Sequence, residues 1–132
     1  MYIDRLLNQG TEPVLERWLQ FTDAREGLLA QNIANSSTPG YVQKDLSLDK
    51  FQEALAEKVK GQEDAAPGSV SFDDIQTEIE NPRDNILFHD GNNRSMEQLM
   101  SDQAKNALMH NFAVEILRDQ YTMIETALKE GK

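Results

Sequence analysis

Apolar residues recur at helical spacing in two long stretches of this 132-residue chain. In the first, Val14, Trp18, Phe21 and Leu28 fall along one seam, and Leu15, Leu19, Leu29 and Ile33 along the adjacent one. Glu16, Arg17, Gln20, Asp23 and Gln31 take the other half of the surface. Thr11 as N-cap, with Glu12 and Pro13 in the first turn, predicts a helix from Thr11 to near Asn35. Pro39 forbids its continuation, and Thr38 is pushed toward an extended backbone because it precedes proline. Pro39-Gly40 suits the two central positions of a type II turn. Asn32, Asn35, Ser36, Ser37 and Thr38 are available to the last free carbonyls of the helix.

The second stretch starts at Ser95, where Ser95 and Gln98 form a capping-box pattern, and meets neither Pro nor Gly until Gly131. Met96, Met100, Gln103, Ala107, His110, Val114, Leu117, Tyr121, Ile124 and Leu128 step by four and three, as in a coiled-coil seam. Such a helix is roughly 50 Å long. The predicted fold class is therefore mainly α: long N- and C-terminal helices packed as an antiparallel helical hairpin or coiled coil, with a short, partly irregular middle. The packing seam is expected at Val14, Trp18, Phe21 and Leu28 against Val114, Leu117, Tyr121, Ile124 and Leu128. Met109, Phe112, Ile116 and Met123 form a second apolar stripe, roughly opposite that seam, which one intramolecular partner cannot cover. Either the short middle elements fold back over it or another subunit does, and an intersubunit role is the favoured expectation for these four residues.

Between the helices, Val42–Leu46 reads as extended, and Ser47 caps a short helix with Leu48, Phe51, Leu55 and Val59 that Gly61 should end. Residues 61–69 lack periodicity and read as a flexible tip. Val70 to Phe72 suggests a brief strand, Ile75 with Ile79 a helical turn, and Ile86-Leu87-Phe88 an apolar anchor before Asp90-Gly91-Asn92-Asn93. The chain thus divides into residues 1–41 (helix and turn), 42–94 (variable middle) and 95–132 (long helix), within one elongated domain.

Composition narrows the chemistry. Hydrophobic residues make up 39% and aromatics 7%, a thin supply for a single compact core, so an elongated helical protein fits better. With no cysteine, disulfides and thiolate metal sites are excluded. The net charge of −10 argues against nucleic acid or an anionic membrane as partner. Residues 1–10 lack the apolar core of a cleavable signal, and no window approaches a membrane span. The two histidines, His89 and His110, sit in no metal-ligand spacing, and His110 falls on the seam, where a polar residue sets register. Asp90 to Asn93 lacks the alternating ligands of a calcium loop, and Asp73-Asp74 is expected to point into water. No phosphate-cradling loop or nucleophile elbow is present. No catalytic residue, cofactor, metal or small-molecule ligand is assigned, and a non-enzymatic structural role is expected.

The stretch around the turn carries a resemblance. Ala30, Asn32, Ile33, Ala34, Asn35, Thr38, Pro39, Gly40 and Tyr41 match the Ala-Asn-Asn-Ile-Ala-Asn-x-x-Thr-Pro-Gly-Tyr motif of bacterial flagellar rod and hook proteins. Gln31 and Ser36-Ser37 depart from it by small polar changes. Chain length and the Phe88 to Asn93 segment look most like the short proximal rod proteins of the flagellar basal body. That resemblance covers the first helix through Leu46 and the chain from Asp90 onward, and hardly the middle. It implies a polymerising, torque-transmitting rod subunit at the basal body, on the periplasmic side of the inner membrane. The partners it implies are copies of itself, other rod proteins and the flagellar type III export apparatus. A small acidic helical export chaperone is the alternative reading.

Overall fold

The computed structural model describes residues 10–75, 79–80 and 95–131. Helix α1 spans Glu12–Ala34, with proline in its first turn, where a missing N–H breaks no helical bond. Its end is satisfied locally: the backbone N–H and side-chain amide of Asn35 both donate to the Gln31 carbonyl, at 3.0 and 2.8 Å. The Tyr41 N–H then donates to the Thr38 carbonyl at 3.2 Å, and Gly40 sits at φ +75°, the type II pattern expected for Pro39-Gly40.

No atom lies within 4 Å of a Cβ built at Gly40, so only backbone strain opposes a side chain there. Gly40→Val should cost about 1–2 kcal/mol, the usual penalty for the left-handed region. Gly40→Asn should recover most of it. Urea unfolding of the three proteins checks this, and an unchanged midpoint for Gly40→Val would mean the turn adapts freely.

Past the turn, strand β1 (Asp45–Leu46) pairs antiparallel with β2 (Ile79–Glu80), Asp45 opposite Glu80 and Leu46 opposite Ile79. The extended reading of Val42–Leu46 therefore has its partner at Ile79, in place of the expected helical turn there. Val70 to Phe72 forms no strand, and Phe72 instead enters the core from a loop. Helix α2 spans Leu48–Asp64, its Ser47 hydroxyl accepting from the Lys50 N–H at 3.4 Å. It passes through Gly61, whose helical penalty of about 1 kcal/mol is tolerable, and stops where Ala65-Ala66-Pro67 forces extended backbone. The apolar anchor at 86–88, His89 and the 90–93 turn lie outside the described residues.

Helix α3 spans Met96–Glu130, and Ser95 accepts from the Gln98 N–H at 3.2 Å, one half of the expected capping box. Helix α1 lies between the other two. On one side Phe21 stacks on Phe51, with ring centroids 4.2 Å apart, and the core continues through Leu46, Leu55 and Phe72. Burying each of these large side chains contributes about 1.5–3 kcal/mol. Val14, Trp18 and Leu28 pack around that same cluster. Of the seam expected to meet the C-terminal helix, Phe21 and Leu28 therefore turn to the α2 side, where Phe51 and Leu55 offer aromatic and aliphatic surface, while Val14 and Trp18 touch this cluster and also border Met109, Phe112 and Ile116 of α3.

On its other side α1 meets α3 through polar groups, in antiparallel order. Gln103 Nε2 donates to Glu26 Oε1 at 2.7 Å, Asn106 Nδ2 to the Thr22 carbonyl at 2.8 Å, and Gln120 donates to the Thr11 hydroxyl. Leu99, Asn106 and Ala113 are buried, and with Gln103, His110, Leu117 and Gln120 they step by three and four. This face is rotated from the expected one: Met100 and Ala107 are exposed, and Val114 and Leu117 half-buried. Hydrogen bonds to Thr22 and Glu26 select the rotation, since Asn106 would otherwise be buried without partners. Tyr121, Ile124 and Leu128, also expected on the seam, are 48%, 49% and 70% exposed. At 1.5 Å per residue α1 is about 35 Å long and α3 about 52 Å, so α3 outruns it. Beyond Gln120, α3 has no α1 residue opposite.

Candidate functional site: the motif turn and the face of the hairpin

The motif divides into buried and exposed positions. Asn32 is fully buried and turned away from the helix end, so it does not serve the last carbonyls of α1. Its Nδ2 donates to the Lys44 carbonyl at 2.7 Å, and its Oδ1 accepts from the Lys44 N–H at 3.1 Å. One side-chain amide thereby brackets both backbone groups of Lys44, as a neighbouring strand would. Tyr41 Oη reaches the same Oδ1 at 3.4 Å. Asn35 and Thr38 bond to each other at 3.3 Å, closing the turn. Ala30, Ala34, Thr38, Pro39 and Gly40 are exposed, while Ile33, Asn35 and Tyr41 are half-buried.

The strongest electrostatic contact here was not legible as a site in the sequence. Arg25 Nε and the paired terminal nitrogen donate to the two carboxylate oxygens of Asp45 at 2.8 and 3.0 Å, and both side chains are at least nine-tenths buried. Hydrogen bonding to Asp45 holds the Arg25 guanidinium above its ordinary pKa, outweighing the opposite effect of burial. Asp45 Oδ1 also accepts from the Leu46 N–H at 2.8 Å. The available signal was a lone arginine within the apolar half of α1, between Phe21 and Leu28.

Asp73 and Asp74, expected to face water, each reach a cation on a different helix: Arg17 on α1 for Asp73, and Lys58 on α2 at 2.7 Å for Asp74. The Lys58 hydrogen bond holds the Asp74 carboxyl below the usual range. His110 Nδ1 lies 2.8 Å from Thr22 Oγ1, whose own proton goes to the Leu19 carbonyl at 3.0 Å. This contact ties α3 to α1 at a position where the sequence placed a polar residue on the seam.

Alongside this polar ladder runs an open groove whose walls are almost wholly apolar: Val14, Leu15 and Trp18 on α1, Met109, Phe112 and Ile116 on α3, with Ala113 as its floor. The second stripe expected from the sequence thus lies beside the hairpin seam and not opposite it, because the α3 interface is rotated toward it. Phe112 is 68% exposed and Met123 66%, and Met109 and Ile116 are half-buried. Among the described residues no three His, Cys, Asp or Glu side chains converge as metal ligands, and no helix is long and apolar enough to cross a membrane.

An elongated helical hairpin with an apolar flank and a clamped Asn-Pro-Gly turn is the arrangement of a helical structural protein, with no cluster of metal ligands among the described residues. In particular, the chain is similar to the flagellar basal body rod protein FlgB of Bacillus subtilis (strain 168), with 26% identity over 127 residues. The aligned part is 96% of this chain and 98% of that protein, so the similarity runs through the middle segment, which the motif did not reach. No family model matches the chain.

Proposed function

We propose that this chain is a structural subunit of the bacterial flagellar basal-body rod, which polymerises through its terminal helices and transmits torque. Similarity to a rod protein over nearly the whole chain carries this reading. The apolar groove of the hairpin supports it, since Trp18, Met109 and Ile116 line it and Phe112 stands 68% exposed at its edge, a surface that suits a helical neighbour. Packing of many helical contacts suits a load-bearing rod, because torsion is then spread over numerous weak interactions. Its partners would be copies of itself and other basal-body proteins, reached after passage through the flagellar export apparatus. Its place would be the basal body on the periplasmic side of the inner membrane.

A carboxylate placed in an apolar contact is strongly unfavourable, whereas on a free surface it is nearly harmless. Phe112→Asp with Ile116→Asp should therefore leave secreted subunit at its normal level and remove rods, as counted in basal bodies by electron microscopy. Phe112→Asp alone, at the more exposed position, should show the same split with no effect on folding. Normal basal bodies in both strains would overturn the assembly role of this flank, and loss of soluble protein in both would place it in the subunit's own core.

A further inference from the structure

The groove between α1 and α3 encloses about 190 Å³, with Val14, Leu15 and Trp18 on one wall and Met109, Phe112 and Ile116 on the other. Its α1 wall begins about one helical turn after Gly10, the point where residues 1–9 join the described chain. We propose that this segment of the same chain is the occupant of the groove, folding back from Gly10 so that Leu7 lies against Leu15 and Ile116, and Ile3 against Trp18 and Phe112. The proposal rests on the rod-subunit reading only for its consequence: a neighbour that uses this flank has first to displace the segment.

Chain direction is the first support. Gly10 sits at φ +67°, so the backbone before it leaves the α1 axis and does not prolong that helix along α3. Asn8-Gln9-Gly10-Thr11 has the length of a loop between antiparallel helices. The Gly10 carbonyl accepts from Gln62 Nε2 at 3.2 Å, which fixes the pivot. Register is the second support. The hairpin sets Thr11 beside Gln120 and Thr22 beside His110, which brings Leu15 level with Ile116 and Trp18 level with Ala113. A helix returning from that loop passes each level in turn, Leu7 first and Ile3 about one turn later.

The segment's own residues suit the site. Ile3, Leu6 and Leu7 have the i, i+3, i+4 spacing with which an amphipathic helix fills an apolar groove. The rise from Ile3 to Leu7, about 6 Å, fits within the roughly 10 Å from Met109 to Ile116. Asp4 and Arg5 cancel, so the segment brings no net charge to a chain that carries −10. Tyr121, Ile124 and Leu128 are the competing surface, but they lie on one convex helix face, whereas the groove offers two walls and a floor at Ala113.

The chain has no cysteine, and its one tryptophan, Trp18, lines the groove, so two independent readouts need few changes. In the full chain at about 1 µM, Leu7→Cys with Ile116→Cys should close to an intramolecular disulfide, because the tether holds the two thiols at about 1 mM, on the order of a thousandfold above the concentration of other chains. Leu7→Cys with Ile124→Cys, the pair expected if the segment prolonged α1 along α3, should close about tenfold more slowly. Ile3→Asp with Leu7→Asp should shift Trp18 emission to longer wavelength and open it to acrylamide, while circular dichroism still reports the long helices. Faster closure of the Ile124 pair overturns the proposal, and so does Trp18 emission that is the same in the wild type and the double variant. Disulfides that form only between chains also overturn it and give the groove to a second copy. None of these results touches the rod reading, which stands or falls on basal-body counts in cells.

Discussion

Asp45→Ala should cost about 3–5 kcal/mol of folding stability, the usual loss when one partner of a buried ion pair is removed. Arg25 is nine-tenths buried and would lose the carboxylate that does most to hold its charge, leaving the weaker attraction of Asp102. Against a total stability of about 5–15 kcal/mol for a domain, this is enough to populate the unfolded chain. The pair joins α1 to β1, so its loss should first loosen residues 41–47 and then the α2 core that follows. Guanidinium unfolding with amide exchange measures both. The double change Arg25→Met with Asp45→Leu should regain most of the loss, because it removes the uncompensated charge and keeps the packing. A cost under 1 kcal/mol for Asp45→Ala would mean that Arg25 reaches solvent in the folded protein.

Asn32→Ala should cost about 2–3 kcal/mol, since it withdraws the partners of both Lys44 backbone groups and leaves a gap at a fully buried position. Asn32→Asp, nearly the same shape, should be worse at neutral pH: it sets an anion against the Lys44 carbonyl and buries it. Burial and that carbonyl raise the introduced carboxyl's folded pKa above the unfolded value of about 3.9. Its penalty is thus absent below about pH 4 and grows as pH rises toward the folded value. Unfolding midpoints for the two variants between pH 3 and 7 check this. Equal deficits at every pH would show that only the lost hydrogen bonds matter.

The fate of the motif shows how far local sequence reaches. Pro39 and Gly40 could be assigned their roles without a structure because their constraints lie within their own backbones. Asn32 could not: as a short polar residue near a helix end it fits a cap, and only the return path of residues 41–46 brings Lys44 to it. Arg25 and Asp45 are twenty residues apart and became a pair for the same reason. The groove was half legible, since Met109, Phe112 and Ile116 stood out by spacing, whereas their neighbours Val14, Leu15 and Trp18 belong to a different helix.

By itself the sequence determined the two long helices, their stops at Asn35 and Gly131, the turn at Pro39-Gly40, the capping of α2 and α3, and the resemblance to rod proteins. All of these depend on side-chain periodicity or on backbone constraints within a few residues. Which face of α1 meets which partner was decided only in three dimensions. A helix apolar around half its surface can receive a neighbour on either seam, and the choice went to Phe51 and Leu55 on one side and to the hydrogen-bonding demands of Asn106, Gln103 and His110 on the other. The exposure of Tyr121, Ile124 and Leu128 follows from the same placement: the helix period continues to Leu128, but α1, packed antiparallel with Thr11 beside Gln120, ends before it.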